Sequence, residues 1–152
     1  MEQIFSKIEV FTSDQGFTNI TSQVNGFIKE NKLSSGILIL SSMHTSCSLI
    51  VNENADPNVL KDLKKYLESI VPYNSYQDLS VNKKQIFYEH YQEGEDDMPA
   101  HIKTALTNTS LSLSFNNESL VLGTWQAIYL WEHRFSNKLR ILNIHAIGEK
   151  TK

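Results

Sequence analysis

Apolar and polar positions alternate along the first twelve residues of the chain, in the stretch "QIFSKIEVFT". Ile4, Ile8 and Val10 fall on one face of an extended segment, and Phe5 and Phe11 fall on the other. A period of two is that of a β-strand, and apolar residues on both faces indicate that each face is partly buried. The pattern therefore predicts an N-terminal strand.

Two further segments carry apolar residues at the spacing of a helix. The first is "TNITSQVNGFIKENK", whose apolar positions are Ile20, Val24, Phe27 and Ile28. The second is "ADPNVLKDLKKYLESIVP", in which Asp56 can cap the helix and Pro57 can occupy its first position. Its apolar stripe consists of Val59, Leu60, Leu63, Tyr66, Leu67 and Ile70. Pro72 ends the pattern, so a helix is predicted between the two prolines.

The remaining pattern consists of short strands and one more helix. "ILIL", "CSLIV" and "QIFYEHY" predict strands, and the last would place Ile86, Tyr88 and His90 on a single face. "PAHIKTAL" at 99–106 predicts a short helix entered through Asp97 or Met98. Four strands then follow with tight connections, the first turn at "NNE", which predicts an antiparallel meander. About seven or eight strands and two or three helices, without steady βα alternation, predict a single α+β domain over residues 1–152.

Composition and charge exclude several classes of function. Hydrophobic residues make up 40% and charged residues 20%, as in an ordinary globular domain, and the formal net charge is -3. No basic face is present, so nucleic acid is not an expected partner. No apolar run approaches the length of a membrane span, and the N-terminus does not resemble a signal peptide. The single Cys47 cannot form an internal disulfide, so we expect a cytoplasmic protein that does not bind membranes.

The densest acidic run of the chain lies between two histidines in "YEHYQEGEDDMPAHIK". His90 and His101 can converge in space as metal ligands if one ends a strand and the other begins a helix. Their separation matches no standard metal-binding spacing, however. The alternative is that both make ordinary hydrogen bonds and that the acids form a solvated loop.

A second polar group lies in "SSMHTSCSLIVNENADP". His44, Thr45 and Ser46 connect two predicted strands, where their side chains can converge, and Glu53 and Asp56 precede a helix N-terminus that favours anions. The alternative is structural: Asp56 is then only a cap, Glu53 a loop acid, and His44 a loop histidine. No phosphate-binding loop, dinucleotide fingerprint or serine-hydrolase motif is present.

Three stretches together resemble one known family in their order and spacing: "HTSCSLIVNENADP", "EHYQEGEDDMPAHIKTAL" and "LVLGTWQAIYLWEHR". This is the secondary thiamine-phosphate synthase family, also called the YjbQ family and formerly an uncharacterised protein family. The resemblance covers residues 2–149. It implies a two-sheet β-sandwich that assembles as a homotrimer, with a polar site near the subunit contact.

The resemblance also implies roles for individual residues. His44, His90 and His101 are the implied ligands of one divalent metal ion, with zinc favoured on ligand type and magnesium as the second choice. Glu53 and Asp56 are the implied catalytic acids. The implied substrate-binding residues are Thr45, Ser46, Lys103, Thr124 and Gln126.

The activity that the family name implies joins an aminopyrimidine diphosphate to a thiazole phosphate and releases pyrophosphate. The name itself calls this activity secondary, and the expected partner is a small phosphorylated metabolite. Two alternatives stay open at this point. One is a trimer that binds metal or a small ligand without turnover, and the other is a metal-dependent hydrolase with Glu53 as its base.

Overall fold

The computed structural model describes residues 1–151, and within them the chain forms ten strands and three helices. The strands are β1 (Glu2–Thr12), β2 (Gly16–Asn19), β3 (Leu33–Ser42), β4 (Cys47–Glu53), β5 (Ser75–Gln77), β6 (Gln85–Phe87), β7 (Ser110–Asn116), β8 (Ser119–Leu120), β9 (Gln126–Glu132) and β10 (Lys138–Lys150). The helices are α1 (Thr21–Glu30), α2 (Pro57–Ile70) and α3 (Asp97–Leu106). The predicted α+β class is therefore confirmed.

The strands form two large antiparallel sheets and one small hairpin. The first sheet has the order β1-β10-β3-β7-β8, and the second has the order β2-β9-β4. Strands β5 and β6 pair only with each other. Since β10 pairs with both β1 and β3, the C-terminal strand lies inside the larger sheet, where both of its edges form hydrogen bonds.

The main core lies between the two sheets and under α1. Leu38 of β3 and Leu49 of β4 are fully buried in the same apolar cluster as Ile128 of β9. Val24 and Ile28 of α1 complete it, one helical turn apart on the same face. The side chains that alternate inward on each strand thus hold the sheets together, which places the loops at the sheet ends on the surface.

Two local predictions are confirmed in detail. Helix α2 begins at Pro57, and the Asp56 carboxylate accepts a hydrogen bond from the backbone N–H of Asn58 at 2.8 Å, as an N-cap does. The predicted turn at "NNE" joins β7 to β8. Its central residues Asn117 and Glu118 both have positive φ angles (50° and 58°), as a type I′ hairpin turn requires.

Two predictions about strands are wrong. The last four strands are not a meander, because only β7 and β8 pair with each other, while β9 joins β2 and β4 and β10 joins β1 and β3. The predicted strand "QIFYEHY" ends at Phe87. One further backbone hydrogen bond joins the Tyr88 N–H to the Asn74 carbonyl at 3.1 Å, but Asn74 has a φ of +65° and turns away from the strand direction. His90 therefore lies in a loop and not on a strand face.

None of the helices within residues 1–151 is long and apolar enough to cross a membrane. The predicted single domain and cytoplasmic location stay predictions.

Candidate metal centre

Helix α3 brings an acid and a histidine together at its first turn. Asp97 is its first residue and His101 follows four residues later, so both side chains lie on one helix face. His90 approaches from the preceding loop, where its Nε2 lies 2.7 Å from Oδ2 of Asp97. The His101 Nε2 lies 3.7 Å from Oδ1 of the same carboxylate. One buried acid therefore faces two imidazoles.

The tautomer of His101 follows from the hydrogen bond that its second ring nitrogen, Nδ1, makes. His101 Nδ1 lies 3.1 Å from the backbone carbonyl oxygen of Thr45, which can only accept a hydrogen bond. The proton of a neutral His101 ring is therefore on Nδ1, and Nε2 presents a lone pair towards Asp97. A backbone carbonyl that orients the distal nitrogen of an imidazole is the usual support of a metal-ligating histidine.

The spacing of these three side chains fits a single divalent ion. The candidate ligand atoms of His90, Asp97 and His101 all lie within 4.8 Å of one another. Two ligands at about 2.0–2.2 Å from one ion are at most roughly 4.4 Å apart, and the 3.7 Å between His101 Nε2 and Asp97 lies within this limit. The 2.7 Å between His90 Nε2 and Asp97 is the length of a hydrogen bond, which an ion would have to replace. Two imidazoles and one carboxylate form a donor set that zinc and other first-row metals accept.

Arg134 holds the acidic side of this centre in place. Its guanidinium donates to a carboxylate oxygen of Asp97 and, from Nε, to Oδ2 of Asp96 at 3.0 Å. The third nitrogen donates to the backbone carbonyl of Glu93 at 2.8 Å. Asp96 and Asp97 are both almost fully buried, so the arginine supplies the positive charge that their burial requires.

The acidic run therefore divides into two structural roles. Asp96 and Asp97 point inward to Arg134, whereas the Glu93 carboxylate is largely exposed and lies 3.8 Å from the same guanidinium. Gly94 lies between them with a φ of +119°, a left-handed conformation that suits glycine. The run is thus a loop ordered by one arginine, and Asp97 is its member that meets both histidines.

His44 is not part of this group within residues 1–151. Its Nε2 accepts a hydrogen bond from the backbone N–H of Ile141 at 2.8 Å. A neutral imidazole has one acceptor nitrogen, so in this arrangement His44 has no lone pair left for an ion. Burial, together with the positive charge of Arg140, lowers the pKa of His44, which favours this neutral form. The structure brings His90 and His101 together and leaves His44 apart.

The two residues after His44 have separate positions. Thr45 supplies the backbone carbonyl to which His101 binds. Ser46 is buried, and its hydroxyl accepts a hydrogen bond from Arg140 at 3.0 Å. Arg140 also binds Glu132, which is 1% exposed. Ser46 is therefore engaged in an internal polar network, and its role in substrate binding stays a prediction without support from its contacts.

The remaining acids and polar residues of the predicted site lie elsewhere. Strand β4 begins two residues after Thr45 and ends at Glu53, and seven strand residues span about 20 Å. Glu53 pairs with Gln126 at that far end, and Asp56 and Thr124 lie in the adjoining loops. Within one chain, Glu53 is therefore too far from His101 to share a site with it.

Lys103 lies inside the protein and not beside His90 or His101. It is 3% exposed, and its ammonium lies 5.0 Å from the centroid of the Tyr73 ring. It lines a small polar cavity with Gln15, Glu68, Glu132 and His133, among others. Burial lowers the pKa of Lys103. No predicted substrate-binding residue other than Lys103 lines this cavity.

Sequence reasoning missed two residues of the centre, Asp97 and Arg134. A signal for Asp97 was present, because a helix predicted to begin at Asp97 or Met98 puts that acid four residues before His101. Nothing in the local sequence pattern connects Arg134 with the acidic run, since 37 residues separate it from Asp97.

The comparisons with known proteins agree on one family. The family model described as UPF0047 protein YjbQ-like matches residues 6–149, and the chain belongs to this family. UPF0047 protein sll1880 of Synechocystis is 38% identical over 140 residues, which is 92% of this chain and 88% of that protein. UPF0047 protein YjbQ of Salmonella typhimurium is 40% identical over 121 residues, covering 79% of this chain and 80% of that protein.

Solved structures give the same result for the fold. A conserved hypothetical protein from Thermus thermophilus superposes with a TM-score of 0.75 at 30% identity, covering 93% of this chain and 99% of that one. A YjbQ/UPF0047 protein from Clostridium acetobutylicum gives 0.74 at 28% identity, over 95% and 99%. The names of these relatives state no reaction, so the YjbQ resemblance is confirmed and its link to thiamine-phosphate synthesis is not.

Proposed function

We propose that His90, Asp97 and His101 hold one divalent metal ion, zinc by preference, and that the protein uses it in chemistry on a small phosphorylated metabolite. The observation that carries this proposal is the His101 Nε2 lone pair, 3.7 Å from a buried carboxylate and too far from it to share a proton. A bound cation would remove the repulsion between this lone pair and the Asp97 carboxylate. His90, whose side chain is half exposed, would be the third ligand.

The reaction we propose is of the thiamine-phosphate synthase type, as the sequence resemblance implies, whether or not it is the main activity. When bound, the ion would neutralise the charge of a departing diphosphate. The chain offers little other positive charge here, because Arg134 and Arg140 are its only arginines and both already bind carboxylates. The contribution of the chain's own residues is to hold the ligands and the substrate in place.

A direct assay tests this function. Purified protein is incubated with the aminopyrimidine diphosphate and the thiazole phosphate, with and without a chelator, and pyrophosphate release is followed. We expect release that stops with the chelator and returns with added zinc. His101→Ala should abolish it, whereas Lys29→Ala, at an exposed position in the last turn of α1, should not. Equal rates with and without bound metal would refute the proposal.

A metal-dependent hydrolase with Glu53 as base is the second candidate, and it requires a neighbouring copy of the chain. Because Glu53 lies at the far end of β4 from Thr45, only another subunit can bring it near His101. Glu53→Gln keeps the size of the side chain and removes its charge. If Glu53 handles a proton, the rate should fall about 10²–10⁴-fold with metal binding unchanged. An unchanged rate would exclude a catalytic role for Glu53.

A homotrimer is part of this proposal. The outer face of the larger sheet carries exposed apolar side chains, among them Phe5 (65% exposed), Ile37 (53%) and Ile39 (40%). A patch of this kind favours burial against another copy of the chain. Sedimentation at micromolar concentration should give about three times the chain mass of 17.4 kDa. A monomer at that concentration would exclude both the trimer and a site shared between subunits.

A further inference from the structure

Helix α3 has a second face directly beside the candidate metal centre. Asp97 and His101 are four residues apart and face the histidine of the preceding loop. Met98 and Ile102 are also four residues apart and are rotated by about 100° from the first pair. They line a groove under the β5–β6 hairpin. The metal centre and this groove are therefore neighbours on one helix.

This hairpin groove is large and mainly apolar. Its apolar and aromatic lining includes Val71, Tyr76, Ile86, Tyr88, Met98 and Ile102. Its volume is about 570 Å³, and an adjoining hollow of about 310 Å³ shares four of these side chains and reaches His90. Pockets for small ligands commonly have volumes of about 300–1,000 Å³ and a mostly apolar lining with few polar groups. The groove is of this kind, and the adjoining hollow connects it with His90 of the candidate metal centre.

One wall of the groove is held in a defined orientation. The Tyr88 hydroxyl donates a hydrogen bond to the carbonyl oxygen of Pro72 at 3.1 Å, which anchors the ring. The Tyr76 ring packs against it with 5.6 Å between the ring centroids. Because these rings are ordered by the protein itself, a ligand need not order them when it binds.

The charges around the centre restrict the other end of a ligand. Glu93, Asp96 and Asp97 surround it with negative charge, and the guanidinium of Arg134 is fully engaged by them. An anionic group is therefore repelled unless a metal ion is bound. With the ion bound, the same group gains a partner at the mouth of the groove.

From this arrangement we infer that the hairpin groove receives the apolar ring of a small molecule whose anionic end meets the ion at His90, Asp97 and His101. This inference rests on the metal centre proposed above and adds the chemical class of its ligand. It does not depend on any particular reaction.

The test compares two probes on the zinc-loaded protein by calorimetry: phenyl phosphate and inorganic phosphate. Burying a phenyl ring in the groove should make phenyl phosphate bind at least about tenfold more tightly. Ile86→Asp places a charge in the groove and should remove this preference, which is measured as the ratio of the two affinities because the added charge weakens the binding of both anions. Val121→Asp is the matched control, since Val121 is exposed, lies outside the groove and should leave the preference unchanged.

The outcomes separate this inference from the metal proposal. Zinc is first titrated alone, and a protein that binds no zinc overturns both. Zinc binding with equal affinities for the two phosphates overturns the groove and leaves the metal centre standing. A preference that survives Ile86→Asp also overturns the groove. If Ile86→Asp does not fold, Tyr76→Ser at the more exposed wall takes its place, with the same expected loss.

Discussion

The two arginines of the chain build two clusters that differ in one respect. Arg140 and Glu132 form a buried pair in which both carboxylate oxygens accept hydrogen bonds: Glu132 also accepts from Thr12, and Arg140 also donates to Ser46. Arg134 binds Asp96 and Asp97 in a comparable way, but the Asp97 carboxylate also faces His90 and His101. The first cluster is closed, whereas the second leaves ring nitrogens open at the surface.

The difference teaches how to separate structural from functional charge in this fold. A buried ion pair whose carboxylate oxygens all accept hydrogen bonds from the protein has no oxygen left for a metal ion. A carboxylate bound on one side by an arginine, with imidazoles on its other side, is the arrangement that the proposed metal centre requires. The four predictions that follow test this distinction, from the largest expected effect to the smallest.

The largest effects are expected from breaking the two arginine clusters, beginning with the closed pair. Arg140→Met leaves the buried Glu132 carboxylate without its cation, which should lower the free energy of unfolding by about 3–5 kcal/mol. Urea denaturation measures this change. The double variant Glu132→Gln with Arg140→Met removes both charges and should recover much of the loss. A single variant as stable as the wild type would show that this pair is not the structural cluster.

Breaking the open cluster should cost a similar amount of stability. Arg134→Met leaves the buried carboxylates of Asp96 and Asp97 without their cation, and we expect a loss of roughly 3–5 kcal/mol. The matched control is Glu93→Gln. The Glu93 carboxylate is exposed and lies 3.8 Å from the same guanidinium, so its replacement should lower the free energy of unfolding by less than about 0.5 kcal/mol. If the two variants lose equal stability by denaturant unfolding, Arg134 does not order the acidic run.

The third prediction concerns pH and His133, next to the closed pair. Burial, with smaller contributions from the charges of Lys103 and Arg140, lowers the pKa of His133 from 6.5 to about 3. Between those values the unfolded chain binds a proton that the folded chain does not, so His133 reduces stability as the pH falls below 6.5. Its effect is absent above that pH.

A comparison of His133→Asn with the wild type isolates this effect. The free energy of unfolding of the wild type, measured relative to that of His133→Asn, should fall by about 2 kcal/mol between pH 7 and pH 5. Each pH unit below 6.5 contributes about 1.4 kcal/mol to this fall. Urea unfolding at the two pH values gives the difference. The same difference at both pH values would mean that His133 titrates normally in the folded protein.

The smallest effect belongs to Asp56, which caps α2 at the end of the molecule away from the histidines. Asp56→Ala should lower the free energy of unfolding by about 1 kcal/mol through the lost bond to the Asn58 N–H. Zinc affinity and any turnover should stay unchanged. A loss of turnover at full stability would instead support the catalytic role that the sequence resemblance implies for Asp56.

Local signals in the sequence predicted local structure well. The Asp-Pro pair before α2 and the period of its apolar stripe determine that helix without help from the rest of the chain. The strand partners were not predictable in this way. Both β9 and β10 are apolar strands, and only packing in three dimensions decides that they enter different sheets.

The candidate site shows the same limit. His90 and His101 were identified from their position around the acidic run. Asp97 could be identified only if the start of the helix was also known. A spacing of four residues brings Asp97 and His101 together only when both lie in α3. The position of His44 could not be read from the sequence, because its ring nitrogen binds the backbone of Ile141, 97 residues further along the chain.

The central claim is that the open cluster, and not the histidine of the β3–β4 loop, forms the metal centre. Zinc titration of three proteins by calorimetry tests it most directly: the wild type, His101→Ala, and His44→Gln, which keeps an acceptor for the Ile141 N–H. The account predicts one zinc per chain in the wild type and in His44→Gln, and none bound with comparable affinity in His101→Ala. Full binding by His101→Ala, or its loss in His44→Gln, would contradict the account.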